Sequence, residues 1–138
     1  MFLATRFSIL CIDDADDLLQ GMQRILLRAG HLVHTAQGGA DGITLLRQLP
    51  SVDVILVNYR LASVSGMDVV TFVAEEPRLD NAGLVICSAD NVLELPIQHA
   101  AWPRVDVCLP LPFQPMELYD AVFEAYTRRR GYLYCLAV

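Results

Sequence analysis

No apolar run in this sequence approaches the roughly 20 residues that a bilayer requires. Runs such as Val52–Val57, interrupted by Asp53, fall far short of it. The opening segment, Met1 to Arg6, is too short for a secretory signal. Both absences point to a cytoplasmic protein with no membrane attachment. None of the cysteines, Cys11, Cys87, Cys108 and Cys135, forms a C-x-x-C pair, so the spacing for a metal or disulfide framework is missing. They read as reduced residues packed as small hydrophobes. A basic face is missing too: ten basic residues stand against sixteen acidic ones, for a net charge of −6. Gripping a phosphate backbone needs the opposite balance, which argues against direct nucleic-acid binding. The one basic run, Arg128–Arg130, reads as cations placed at the negative end of a helix. Internal repeats and low-complexity linkers are also absent.

What is present is enough for one domain with a sizeable core. The chain has 138 residues, of which 54% are hydrophobic, and chains of about this size bury roughly two-thirds of their unfolded surface. Short apolar runs alternate with helical stretches five times over. Phe7–Ile12, Leu32–Ala36, Val52–Val57, Leu84–Cys87 and Val105–Leu109 read as buried strands. Helices are predicted over Asp16–Ala29, with Leu18, Met22, Ile25 and Ala29 on its apolar face and Gly30 closing it, over Ala40–Leu49, and over Gly66–Ala74. A fifth helix starts at Pro115, with Leu118, Ala121, Val122 and Ala125 facing inward. The fourth, between Ser88 and Val105, fits poorly because it contains Pro96 and ends near Pro103; a short helix beginning near Pro96 is expected. Strands alternating with helices imply a parallel sheet covered on both faces, and five such units suit the flavodoxin-like, doubly wound α/β order 2-1-3-4-5. Sites in such sheets lie outside the carboxyl ends of the strands, here after Ile12, Val57, Cys87 and Leu109.

The loop after the first strand is Asp13-Asp14-Ala15-Asp16-Asp17. It has no glycine, which excludes the phosphate-cradling turn of a dinucleotide fold. Adjacent carboxylates repel one another unless solvated or shared by a cation, and Mg²⁺ suits one or two carboxylates with carbonyls and water. Asp16 and Asp17 read more simply as acids in a helix's first turn. Asp53, at the start of its strand and the other end of the sheet, reads as a turn residue. His31, His34 and His99 form no evident catalytic cluster, which leaves little room for an enzyme or a flavin carrier.

Four blocks in order carry a specific resemblance. Ile9-Leu10-Cys11-Ile12-Asp13-Asp14, Asn58 to Met67, Val85-Ile86-Cys87-Ser88-Ala89 and Leu111-Pro112-Phe113 resemble the signature blocks of response regulator receiver domains in two-component signalling. In that family the acid pair helps bind Mg²⁺, and the aspartate ending strand three takes a phosphoryl group from a histidine kinase. A Ser or Thr ending strand four senses the phosphoryl group, and a lysine before Pro-Phe pairs with it. Asp13, Asp14 and Ser88 match. Asn58 stands at the acceptor position, Leu111 at the lysine, Cys108 at the aromatic switch position, and Ala62 at a frequent loop proline. The resemblance covers roughly residues 7 to 128, so residues 1–130 read as the receiver-like domain. Residues 131–138 read as an apolar tail or the start of a linker.

The departures decide the expected chemistry. A carboxylate can attack phosphorus to form an acyl phosphate, whereas a neutral carboxamide cannot usefully do so. Leu111 in the place of the lysine removes the cation that would offset a new phosphate charge. Mg²⁺ binding is expected to be weak or absent, relying on Asp14, Asp13 through water and the backbone carbonyl of Arg60. The expectation is therefore a phosphorylation-independent protein-interaction or dimerisation module, not an enzyme. The resemblance implies a histidine kinase, an output domain or another regulator as partner. It also implies a homodimer through the face of helix four, strand five and helix five, where Trp102, Phe113, Tyr119 and Tyr126 fall. Two alternatives remain: a cation- or ligand-responsive switch in the old acidic pocket, and a receiver phosphorylated on another carboxylate, Asp13 or Asp14.

Overall fold

The computed structural model describes residues 6–89 and 95–137, the last six by their backbone alone. Its five strands are β1 (Ser8–Ile12), β2 (Leu32–Ala36), β3 (Val54–Asn58), β4 (Gly83–Ser88) and β5 (Val107–Pro110). They form one parallel sheet in the order β2-β1-β3-β4-β5, the flavodoxin-like arrangement expected. The helices are α1 (Asp16–Arg28), α2 (Gly39–Gln48), α3 (Gly66–Ala74) and α4 (Pro115–Ala137).

Alternating side chains of each strand enter opposite layers. Ile9 and Cys11 of β1 join Leu56, Val85, α1 and the Leu118–Ala125 face of α4 in one core. Leu10 and Ile12 join Ile55, Ile86, Leu46 of α2 and Val69, Val70 and Val73 of α3 in the other. Because both faces are covered, β1, β3 and β4 can be apolar almost without interruption. Each fully buried Leu or Ile contributes roughly 1.5–3 kcal/mol.

Four expectations need correction. No α-helix forms among the described residues between β4 and β5: 95–101 are turns, followed by a 3-10 turn over Trp102–Arg104. Pro96 and Pro103 are the reason, since each lacks an N–H and together they break the segment into pieces shorter than a stable helix. The part of this region at 90–94 lies outside the described residues. In α1 the buried stripe is Leu19, Met22 and Leu26, while Leu18 and Ile25 flank it and Ala29 is exposed. The doubled leucines at 18–19 and 26–27 let two neighbouring stripes fit the same period. The expected fifth helix, α4, runs on through Ala137, so residues 131–137 continue it. Arg128–Arg130 accordingly sit inside a helix and each has its own contact. Arg128 pairs with Glu124 at 2.6 Å, Arg129 lies buried beside Asp106, and Arg130 reaches Asp53 at 3.4 Å and covers the Tyr126 ring.

Candidate functional site

The parallel register sets Ile12 beside Val57, Asn58 beside Cys87, and Ser88 beside Pro110. The residues that end β1, β3 and β4 therefore reach one edge of the sheet together. Asp13 is 2% exposed, and both of its carboxylate oxygens accept hydrogen bonds. Oδ1 accepts from the Ala15 N–H at 2.9 Å and Oδ2 from the Asn58 amide at 2.8 Å. The Asn58 carboxamide is used at both ends, because its Oδ1 accepts the Arg60 N–H at 2.9 Å. One neutral side chain thus ties the end of β1 to the first turn of the following loop.

Asp14 is exposed, and its Oδ2 accepts the Ala62 N–H at 2.7 Å. Its backbone carbonyl accepts from Gln37 Nε2 at 3.0 Å. The loop after β3 is thereby fastened to both acids of the pair, and its far end is fixed by α3. There Ser65 caps the helix: its hydroxyl accepts the Asp68 N–H at 3.0 Å while Asp68 accepts the Ser65 N–H at 2.9 Å. Gly66 lets the loop close, since a Cβ there would stand 2.8 Å from the Tyr59 Cα and carbonyl oxygen and would collide with the Asn58 carbonyl.

Ser88 is buried at the end of β4, and its carbonyl accepts the Leu111 N–H at 2.9 Å. Leu111 is partly buried against the α1–α4 core and joined to Pro112 by a cis peptide. Cys108 lies two residues before the end of β5 and is exposed, because Val107 and Leu109 take the inward positions. The structure thus gathers Asp13, Asp14, Asn58, Arg60, Ser88 and Leu111 at one edge and leaves Cys108 on the outer side of β5.

Asp53 anchors the opposite edge, accepting the Ser8 N–H at 2.8 Å. Asp16 and Asp17 lie in the first turn of α1, as expected. The aromatic residues expected at an interface are largely used for packing. Tyr119 donates its hydroxyl to the Ile25 carbonyl at 3.1 Å, Tyr126 packs at a tilt on Phe7 with centroids 4.3 Å apart, and Phe113 packs on the α1–α4 core. Trp102 packs on the opposite core, and the large apolar side chains that stay exposed nearby are Met116 and Phe123 of α4 and Ile97.

Sequence reasoning missed three things here. The Ser65–Asp68 capping box was visible as an S-x-x-D spacing. The clamp by Gln37 and the Ala62 N–H has no local signal, since both partners come from other loops. The third needs only counting: all ten basic residues are arginine, so no lysine elsewhere stands in for the one absent at Leu111.

A family model, Response regulator receiver domain, matches residues 9–123. The chain is 32% identical over 84 residues to the transcriptional regulatory protein AfsQ1 of Streptomyces coelicolor, a stretch covering 61% of this chain and 36% of that protein. The chain thus spans about a third of the length of that curated relative. Among solved structures, a response regulator receiver domain protein from Clostridium thermocellum superposes with a TM-score of 0.77 at 25% identity, covering 90% of this chain and 97% of the other. The chemotaxis response regulator CheY4 of Vibrio cholerae shares the fold with a TM-score of 0.77 at 20% identity, covering 88% and 99%.

Proposed function

This chain belongs to the response regulator receiver family, and on that premise we propose that it acts in signal transduction as a phosphorylation-independent protein-interaction or dimerisation module, not as an enzyme. The observation that carries this reading is the Asn58 carboxamide bonded at 2.8 Å to Asp13 and at 2.9 Å to the Arg60 N–H. The bond gives Asp13 a positively polarised hydrogen in the place where a bound cation would otherwise offset its charge. It also holds the loop after β3 in one arrangement without a phosphoryl group. Asn58 has no carboxylate to accept one, and Leu111 has no charge to stabilise it.

The donor set fits Mg²⁺ poorly. Asp13 accepts N–H groups on both oxygens and Asp14 on one. Among the described residues no group of three or more His, Cys, Asp or Glu side chains converges. A hard divalent cation wants several free oxygens at short range, and here the amide of Asn58 faces the buried carboxylate instead.

For a partner, the reading favours a kinase, an output domain, another regulator or a second copy meeting α4 and β5. Met116 and Phe123 are exposed there, and Cys108 faces outward. A ligand-responsive switch is the second reading. A cavity of about 570 Å³ beside Asp14, Arg60, Ala62, Asp68 and His99 favours it, and ligand-dependent stabilisation in a thermal melt would select it.

The test pairs intact mass with sedimentation velocity, with and without acetyl phosphate and Mg²⁺, for the native chain and an Asn58→Asp, Leu111→Lys double variant. Because the native chain has no lysine, acetylation of side-chain amines does not complicate its mass spectrum. The expected result is no phosphoryl adduct and an unchanged oligomeric state for the native chain. A labile adduct on Asp13 or Asp14 would overturn the proposal.

A further inference from the structure

A groove lies between α1 and the loop that joins β5 to α4. It encloses about 370 Å³ and is lined by Leu18, Met22 and Ile25 of α1 and by Leu111 and Phe113 of the loop, among others. It is separate from the cavity beside Asp14 and Arg60. Ligand clefts measure about 300–1,000 Å³ and combine an apolar lining with a few polar groups. At the small end of that range, this groove has room for a single ring or a short branched chain.

Two residues of α1 distinguish it from an ordinary gap in the packing. Gly21 lines it from the middle of the helix. Glycine inside a helix is less stable than alanine, and a positive φ or a close neighbour is the usual reason for it. Gly21 has neither, since its φ is not positive and a Cβ there would meet nothing within 4 Å. The missing side chain leaves the wall of the groove open. Asp17 is the one charged residue among the described residues that line it. Its carboxylate is exposed in the first turn of α1, and Asp14 and Asp16 nearby in sequence are exposed too. Arg24 and Arg28, the cations of α1, do not line the groove. Its mouth therefore attracts a cation and repels an anion. Leucine at position 111 adds hydrocarbon to the lining where a lysine would add an opposing charge.

We propose that this groove binds a small cationic amphiphile, an aromatic or branched hydrocarbon carrying one amine. The hydrocarbon lies against Met22, Ile25, Leu111 and Phe113, and the amine meets Asp17. Burial of apolar area supplies most of the affinity, and Asp17 selects the sign of the charge. The bound molecule bridges α1 to Leu111, whose N–H is held by the Ser88 carbonyl at 2.9 Å. Occupancy thus reaches the functional edge of the sheet from the side, with no phosphoryl group involved.

The test titrates the full chain, carrying carbon-13 at its methionine methyls, with phenethylamine. Phenethyl alcohol and hydrocinnamate serve as neutral and anionic probes with a similar body. The Met22 methyl should shift saturably with the amine, while that of Met116, exposed on α4, stays in place. The alcohol should bind about threefold to fivefold more weakly than the amine, as the loss of an exposed ion pair allows, and hydrocinnamate more weakly still. Asp17→Asn should erase the difference between amine and alcohol. Gly21→Leu fills the groove from a position where a side chain meets no obstacle. It should raise the melting temperature of the free chain and abolish the Met22 titration. Parallel, unsaturable shifts of Met22 and Met116 would overturn the proposal, since they would mean general partition onto apolar surface. So would no Met22 shift with any probe, equal binding of amine and alcohol to the native chain, or a Gly21→Leu variant that still saturates.

Discussion

Asn58 meets Asp13 with an N–H, where a carboxylate would meet it with a second negative charge. Asn58→Asp should therefore destabilise the fold by about 1–3 kcal/mol near neutral pH, through the lost bond and the new repulsion. Paired carboxylates hold a proton more tightly when folded, so the loss should shrink toward about pH 5 and grow toward about pH 8. Urea midpoints at the two pH values read this, and Mg²⁺ should recover part of the loss at the higher one. Midpoints unchanged by the substitution would show that the bond carries no weight. The buried thiols give a second pH dependence. Cys11 is pushed up to about 12 by burial and then by the charge of Asp13, and Cys87 is also raised, chiefly by burial. Unfolded thiols ionise near 9, so the folded chain keeps protons that the unfolded one releases. This stabilisation is complete below that value and is lost as pH rises toward the folded values, by about 1.4 kcal/mol per pH unit and thiol. Replacing both cysteines by alanine should flatten the alkaline fall in the melting temperature. That these cysteines pack as hydrophobes was legible, because they stand inside strand runs. The Asn58–Asp13 bond was not, since it joins residues 45 apart and exists only once β1 and β3 lie in register.

Elements were most legible where one period had one solution. β1, β3 and the Leu118–Ala125 face of α4 fall as the pattern predicts, but doubled leucines left the rotation of α1 open by one residue. The short helix expected from near Pro96 does not form among the described residues, where the chain turns and then makes a single 3-10 turn over Trp102–Arg104. Two substitutions test how tightly the elements are seated. Gly83 opens β4 directly beneath α4, and a Cβ there would lie 2.6 Å from the Ala125 carbonyl carbon and 2.7 Å from its oxygen. Because backbone cannot yield as a side chain can, Gly83→Ala should cost about 1–3 kcal/mol or more, seen as a lower urea midpoint with an unchanged slope. Ser65→Ala removes the cap of α3 and should cost about 1 kcal/mol. Hydrogen exchange should then rise in the first turn of α3 and in the loop it anchors. An effect confined to the helix would separate its stability from the arrangement around Asn58.

The molecule as a whole consists of two apolar layers on one shared sheet, and neither layer can be removed without baring the other face of the same strands. Unfolding should accordingly be a single transition, with Trp102 fluorescence and far-UV circular dichroism giving the same urea midpoint. Separate midpoints would show the layers parting independently. The fold class was legible from alternation alone, and the site's position followed from the rule for parallel sheets. The pairing of Arg129 with Asp106 was not legible, because it depends on the path of α4 across the sheet, which no local pattern encodes. That helix has 23 residues and so measures about 35 Å, roughly twice the depth of a five-residue strand. Its inner face is clamped from Leu118 to Arg129, which makes the remainder a screw thread of fixed pitch. A fluorescent reporter joined rigidly to it would have its azimuth set by arithmetic. One inserted residue swings the reporter about 100°, and seven return it to within about 20° of where it began.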